Sequence, residues 1–237
     1  MGYGNNTYNS RNPLVRFAHR SRFGRSLRSV DASPGDKILD FGSGDGFFLD
    51  QLNERVPGLE LLAYEPYMEA REGCEIETTS SWDRVLRAAP YDCVTCFEVL
   101  EHFPAEGQEV ALDRFLEVLR PEGRLVISVP IERGLPSVVK NLVRKRKYPQ
   151  HPAYALRNIA ASLLGRPLPA YRGGSDYLSH MGFYFDDLEL LLSPRFEIVN
   201  RSFSPFPGAG AQFNSQVFYE LTPRPQEAVA AAMPEAV

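Results

Sequence analysis

Lys37-Ile38-Leu39-Asp40-Phe41-Gly42-Ser43-Gly44-Asp45-Gly46-Phe47-Phe48-Leu49 is the stretch whose reading decides the fold. A short apolar run, Lys37 to Phe41, passes straight into three glycines at alternating positions. Behind them Phe47, Phe48, Leu49, Leu52 and Val56 predict a helix, stopped by Pro57-Gly58. Glycine lets a backbone come close to a ligand, and a helix N-terminus offers N–H groups that its own turns leave unpaired. The stretch therefore reads as strand, cofactor loop and helix. A dinucleotide loop would spell G-x-G-x-x-G, with its last glycine one residue later. Here the spacing is G-x-G-x-G, with Asp40 just before it.

Outward from this stretch the chain alternates. Strands are expected at Leu59–Tyr64, weakly at Cys74–Thr78, at Asp92–Phe97 and at Arg124–Val129. Helices are expected around Met68–Glu72, at Trp82–Ala89 and at Ala105–Arg120, the last with Val110, Leu112, Phe115, Leu116 and Leu119 inward. Such alternation predicts an α/β fold with a doubly wound sheet. Residues 131–180 break the rhythm with prolines, a basic run and an apolar helical piece from Tyr154 to Leu164, and read as a cap insertion. A helix at Phe185–Leu192 and strands at Phe196–Phe203 and Gln216–Leu221 complete the core. The expected organisation is a helical or flexible segment over 1–32, a core domain over 33–222 that includes the cap, and a disordered Pro- and Ala-rich tail over 223–237.

Composition narrows the class. The 237 residues are 43% hydrophobic, yet no apolar run approaches the ~20 residues of a membrane-spanning helix, and the N-terminus has no apolar leader. A soluble, cytoplasmic protein is expected. The net charge of −4 argues against broad nucleic-acid binding, although the first thirty residues hold six arginines and no acid, which allows local phosphate contacts. An Arg- and Ser-rich start also fits an organelle transit peptide. Against that, Leu14, Val15, Phe17, Phe23 and Leu27 look like a packing helix. Cys93 and Cys96 spell C-x-x-C, but on a strand positions three apart face opposite sides, so they read as core residues rather than a metal or redox pair.

The string D-F-G-S-G-D-G resembles motif I of the class I S-adenosylmethionine-dependent methyltransferases. Glu65 ends the next strand, 19 residues past Gly46, where an acid can accept both ribose hydroxyls. Tyr91 to His102 resembles that family's fourth-strand motif, and Leu119-Arg120-Pro121-Glu122-Gly123-Arg124-Leu125 resembles the turn before its fifth strand. His180-Met181-Gly182-Phe183 is similar to an H-x-G-F segment of small-molecule members, in the ubiquinone-pathway-like O-methyltransferase branch. The resemblance implies a Rossmann-like seven-stranded sheet of order 3-2-1-4-5-7-6 with an antiparallel last strand. It implies S-adenosyl-L-methionine as the donor, held by Asp40, Gly42, Ser43, Gly44, Gly46, Glu65, Pro66, Phe97 and Glu98. Where relatives commonly place an acid for the adenine amino group, this chain has Thr79-Ser80-Ser81-Trp82-Asp83. Ser81 and Trp82 are the expected adenine contacts, the indole covering the base, unless Trp82 simply packs its helix onto the sheet.

Methyl transfer to a hydroxyl needs alignment and one group to take the proton. Glu98, His102 and His180 are the expected catalytic residues, with His151 a further candidate base. The spacing E-x-x-E-H resembles that of ubiquinone-pathway and small-RNA 2′-O-methyltransferases, which implies that Glu98, Glu101 and His102 could hold a divalent ion such as Mg2+. The alternative is that Glu98 and His102 pin their loop and cap the helix beginning near Ala105. Tyr148, His151, Tyr154, Tyr171, Tyr177 and Tyr184 in and near the cap suit a ring or a sugar. Arg144 to Lys147 would meet an anionic membrane surface or a substrate phosphate, or form a solvated helix face. The expected function is O-methylation of a small-molecule acceptor: a sugar, quinone-like or natural-product hydroxyl. The alternatives are RNA 2′-O-methylation with a metal, and a methyltransferase-like fold kept as a binding partner.

Overall fold

The computed structural model describes residues 13–163 and 183–225. Tyr171, Tyr177, His180 and the chain from residue 226 lie outside the described residues. The first helix, α1 (Pro13–Ser29), is continuous. The core then runs β1 (Lys37–Phe41), α2 (Phe47–Arg55), β2 (Glu60–Tyr64), β3 (Glu77–Thr79), α3 (Trp82–Ala88), β4 (Tyr91–Phe97), α4 (Ala105–Val118) and β5 (Leu119–Pro130). The cap contributes α5 (Leu135–Lys147) and α6 (Leu156–Leu163), after which α7 (Phe185–Leu192), β6 (Phe196–Ser204) and β7 (Gln216–Pro223) close the fold.

The seven strands form one sheet of order β3-β2-β1-β4-β5-β7-β6. β1 to β5 pair in parallel, and β7 runs antiparallel to both β5 and β6. The inner strands are apolar almost throughout because helices cover both faces, as parallel sheets require. Neighbouring side chains on β1 part accordingly. Leu39 and Phe41 enter a core with Val94, Leu112 and Phe115, while Ile38 packs with Phe23, Phe48, Leu49 and Val126 on the other face. Each such burial contributes about 1.5–3 kcal/mol. Cys93 and Cys96 divide between these two clusters, as their spacing predicts.

Three local expectations are corrected. Residues 68–72 form an irregular loop, with a bend at Met68 and a turn beginning at Glu72, instead of a helix. The Glu65 carboxylate draws in the N–H groups of Tyr67 and Met68, and the segment continues as a loop whose Arg71 N–H donates to the Asp45 carbonyl at 3.2 Å. The third strand begins at Glu77, three residues later than its apolar start suggests. On α4 the inward face is Gln108, Ala111, Leu112, Phe115 and Val118, so Val110 points outward and is 54% exposed.

Candidate active site

The ends of β1, β2 and β4 come together at one edge of the sheet, where open α/β folds place their ligands. Gly42, Gly44 and Gly46 all have positive φ (76°, 57° and 80°), a region that L side chains rarely adopt. A Cβ at Gly42 would collide with the Val99 side chain, and one at Gly46 would stand 2.9 Å from Cys74 Sγ. Gly44 meets open space instead. Two of the glycines thus let the loop pack against its own fold, and the third turns toward solvent.

Glu65 fastens this loop. Its Oε2 accepts the Gly44 N–H at 2.9 Å, and its Oε1 accepts those of Tyr67 and Met68 at 2.9 and 3.2 Å. Asp40 is buried beneath the loop and accepts a 2.7 Å hydrogen bond from Thr95 Oγ1. Burial raises its carboxyl to about 7, opposed by the Thr95 hydrogen bond and assisted by the nearby Glu65 charge. Ser43 Oγ is buried with no hydrogen-bond partner. Pro66 is exposed beside Glu65, and Phe97 packs edge-on to Phe48 at 4.9 Å.

Ser81 is exposed at the start of α3. Trp82 packs closely: its ring meets Tyr64 edge-on at 5.4 Å and Phe41 at 6.2 Å, the Arg114 guanidinium sits over it at 4.8 Å, and Nε1 donates to Glu117 at 3.4 Å. The indole ties α3 to α4 and to the sheet.

Beyond β4, Glu98 is the sole non-glycine residue of positive φ (58°) among the described residues, a conformation costing about 1–3 kcal/mol. It is held from three directions. Its N–H donates to the Ser128 carbonyl at 2.9 Å, Ser128 Oγ donates to its Oε1 at 3.2 Å, and Arg22 Nη1 from α1 lies 3.3 Å from its Oε2. A short 3-10 turn, Leu100–His102, follows. The side-chain amide of Gln108 donates to the carbonyls of Leu100 and Phe103 at 3.0 and 3.1 Å and so pins that turn. α4 starts behind Pro104 with no side-chain cap. His102 is half-buried; burial lowers its pKa and the Glu98 charge partly restores it, which keeps the imidazole neutral near pH 7.

Glu101 is 1% exposed, and neither carboxylate oxygen has a hydrogen-bond partner. Burial first, then the Glu98 charge, pushes its carboxyl well above the usual range. An enclosed Glu101, turned into the core, is a poor ligand for a hard cation. Among the described residues no three His, Cys, Asp or Glu side chains converge on a metal-sized site. The E-x-x-E-H spacing therefore does not assemble the expected Mg2+ site: the turn sends Glu101 inward while Glu98 is engaged by Ser128 and Arg22. His151 lies apart, on the cap, against the buried Tyr154 ring at 4.9 Å.

Residues 16–180 match the family described as a methyltransferase domain. The chain belongs to the class I methyltransferases. Against the ubiquinone biosynthesis O-methyltransferase of Photobacterium profundum it is 34% identical over 106 residues, covering 40% of this chain and 43% of that protein. Against an uncharacterized 37.1 kDa protein of a Streptomyces fradiae transposon it is 30% identical over 145 residues, covering 56% of this chain and 41% of that one. The chain thus spans less than half the length of these relatives. Among solved structures, the magnesium protoporphyrin IX methyltransferase of Synechocystis PCC 6803, with bound SAH, superposes with a TM-score of 0.52 at 15% identity, over 91% of this chain and 90% of that one. This is a likeness of fold. The methyltransferase's own residues suit the family's donor: an unpartnered Ser43 hydroxyl, open space at Gly44 and a loop-bound Glu65 lie together.

Sequence reading passed over Arg22, His19, Thr95, Gln108 and Ser128. His19 Nδ1 lies 2.9 Å from Arg22 Nη2, and burial, with the Arg22 charge, lowers its imidazole to about 4. Only the arginine-rich, acid-free start of the chain hinted at α1's involvement.

Proposed function

We propose that this protein methylates a hydroxyl group of a small-molecule acceptor, using S-adenosylmethionine. When bound, that donor supplies a methyl group on a positively charged sulfur, ready for direct displacement. Asp40, Ser43, Gly44 and Glu65 would hold it, with Ser81 beside the adenine. Glu98, fixed by Ser128 and Arg22, orients the acceptor hydroxyl, and the neutral imidazole of His102 takes its proton as the new O–C bond forms. His180, outside the described residues, remains a second candidate base.

The observation that carries this reading is the neutral, half-buried His102 next to a fixed Glu98 carboxylate at the donor-loop edge of the sheet. The O-methyltransferase relative supports oxygen as the acceptor atom. Calorimetry with S-adenosylmethionine and S-adenosylhomocysteine, followed by transfer of a tritiated methyl group to a panel of hydroxylated sugars and phenols, tests it. Binding in the micromolar range is expected, with His102→Gln lowering turnover about 100-fold at unchanged donor affinity. No binding at millimolar donor would end the enzymatic reading, and transfer only to amines would end the hydroxyl one.

A second reading, of where the enzyme works, rests on α5. This helix buries Ser137 and Asn141 while Leu135, Val139, Leu142 and Val143 are 46–66% exposed. Ser137 lies 3.1 Å from Ser162 of α6, and Asn141 Nδ2 donates to Ser137 Oγ at 3.1 Å, so the polar face is turned into the cap. An outward apolar row ending in Arg144, Lys145, Arg146 and Lys147 complements an anionic bilayer surface. Among the described residues no helix is long and apolar enough to cross a membrane, so contact would be peripheral.

A further inference from the structure

α1 carries Arg16, Arg20, Arg22, Arg25 and Arg28 and no acidic residue. Arg22 reaches Glu98, and Arg25, about one helical turn on, donates to Ser202 Oγ of β6 and faces Glu220 of β7 at 4.0 Å. The helix therefore crosses the sheet from the site toward its far edge. Strand register fixes the span: Phe97, Ser128, Phe218 and Ser202 lie in one row across β4, β5, β7 and β6. Three strand spacings of ~4.8 Å separate the ends of that row, roughly 14 Å in all.

At the far end, between α1 and the end of β6, lies an open groove of about 390 Å³. Arg20, Arg25 and Arg28 line it with Ser21 and Ser204, and Phe203 belongs to its apolar wall. No carboxylate lines it. Arg25 Nε is buried there without a hydrogen-bond partner, although the same guanidinium is engaged elsewhere through Nη2. The planar forks of three guanidinium groups around one groove match the oxygens of phosphate.

We propose that this groove is a binding site for a phosphate or diphosphate group carried by the methyl acceptor. The groove opens at the same sheet edge as Glu98, because Ser204 pairs with Gln216 and Gln216 with Pro130, just past the Ser128 that holds Glu98. A separation of roughly 14 Å suits a diphosphate-linked sugar, whose ring hydroxyl would reach Glu98 and His102, and is too long for a simple sugar phosphate. What the phosphate is attached to rests on the proposed methyl transfer; the phosphate site itself does not.

The test is titration of the full chain with inorganic pyrophosphate, by calorimetry, with and without S-adenosylhomocysteine. Malonate and a short single-stranded RNA serve as comparison probes. Arg20 and Arg28 are exposed, so Arg20→Gln with Arg28→Gln leaves the core packing intact, and a thermal melt checks this. Submillimolar pyrophosphate binding is expected, weakened at least tenfold in the double variant at unchanged S-adenosylhomocysteine affinity, and partly restored by Arg28→Lys. Absence of pyrophosphate binding in a chain that binds S-adenosylhomocysteine overturns the groove and leaves methyl transfer standing. Pyrophosphate binding without S-adenosylhomocysteine binding does the reverse. Malonate binding as tight as pyrophosphate overturns the phosphate assignment. RNA binding tighter than pyrophosphate and falling steeply with salt assigns the groove to a nucleic acid instead, overturning the small-molecule acceptor.

Discussion

Arg22 Nη1 and Glu98 Oε2 lie 3.3 Å apart although 76 positions separate the two residues in the chain. The contact places a guanidinium from the first helix directly on the carboxylate that ends the β4 motif, and His19 buttresses that guanidinium from one turn earlier. Arg22 acts through Glu98 as a positioning residue. Arg22→Met is expected to lower kcat about tenfold, equivalent to ~1.4 kcal/mol of transition-state stabilisation, with donor affinity unchanged. Arg22→Lys should recover part of the loss. Steady-state kinetics beside donor calorimetry checks the split: a variant that merely loosened the fold would lose both together.

Gly42 is fixed by sterics. A methyl group there meets Val99 at a backbone φ of 76°, so Gly42→Ala is expected to destabilise the fold by about 1–3 kcal/mol. For a chain of this size that corresponds to a melting temperature lower by roughly 3–10 °C. Adding Val99→Ala should relieve the collision and leave the backbone penalty, so recovery in the double variant is partial. Gly44→Ala meets no atom in the fold and should be milder in a thermal melt while still weakening donor binding.

Asp40 links the donor site to pH. Its carboxyl stands at about 7 against an ordinary 3.8, so it is protonated in the folded chain at pH 6 and mostly ionised at pH 8. The donor carries positive charge, which favours the ionised form. Affinity is expected to rise about tenfold from pH 6 to pH 8 and to be flat with pH in Asp40→Asn. Stability moves the other way. A group whose pKa is raised on folding contributes fully below its unfolded value near 4, and that contribution is lost as pH rises through about 7. Thermal melts of the ligand-free wild type should therefore fall over this window more than those of Asp40→Asn.

The outward apolar row of α5 predicts co-flotation with vesicles containing anionic phosphatidylglycerol and little with neutral phosphatidylcholine vesicles. Val139→Asp with Val143→Asp should abolish it, and raised salt should weaken it through Arg144 to Lys147. A concentration-dependent dimer in light scattering, with no vesicle binding, would assign the face to a second copy of the chain.

Much of this architecture was legible in local sequence. The alternate fates of Ile38 and Leu39, the three glycines and the strand-end Glu65 are all properties of a few consecutive residues. Segment 68–72 misled because its composition suits a helix, whereas Glu65 diverts the first N–H groups into a loop. The E-x-x-E-H spacing misled because side-chain direction in a 3-10 turn cannot be read from spacing, and Glu101 points into the core. Contacts of Glu98 with Arg22 and Ser128 join residues 76 and 30 positions apart. α5 inverts the usual assumption that apolar residues face inward, and only the polar partners supplied by α6 reveal that.

The division of the cysteines has a practical consequence. Cys93 and Cys96 are sealed in opposite halves of the core, with thiols pushed by burial to about 12 and well above the ordinary value, so reagents that need a thiolate will pass them by. Cys74 is partly exposed, and its sulfur faces Gly46 on the cofactor loop. The unmodified chain thus carries a built-in attachment point for a single fluorophore or spin label beside the glycine loop, through which occupancy of the proposed donor site can be watched in real time.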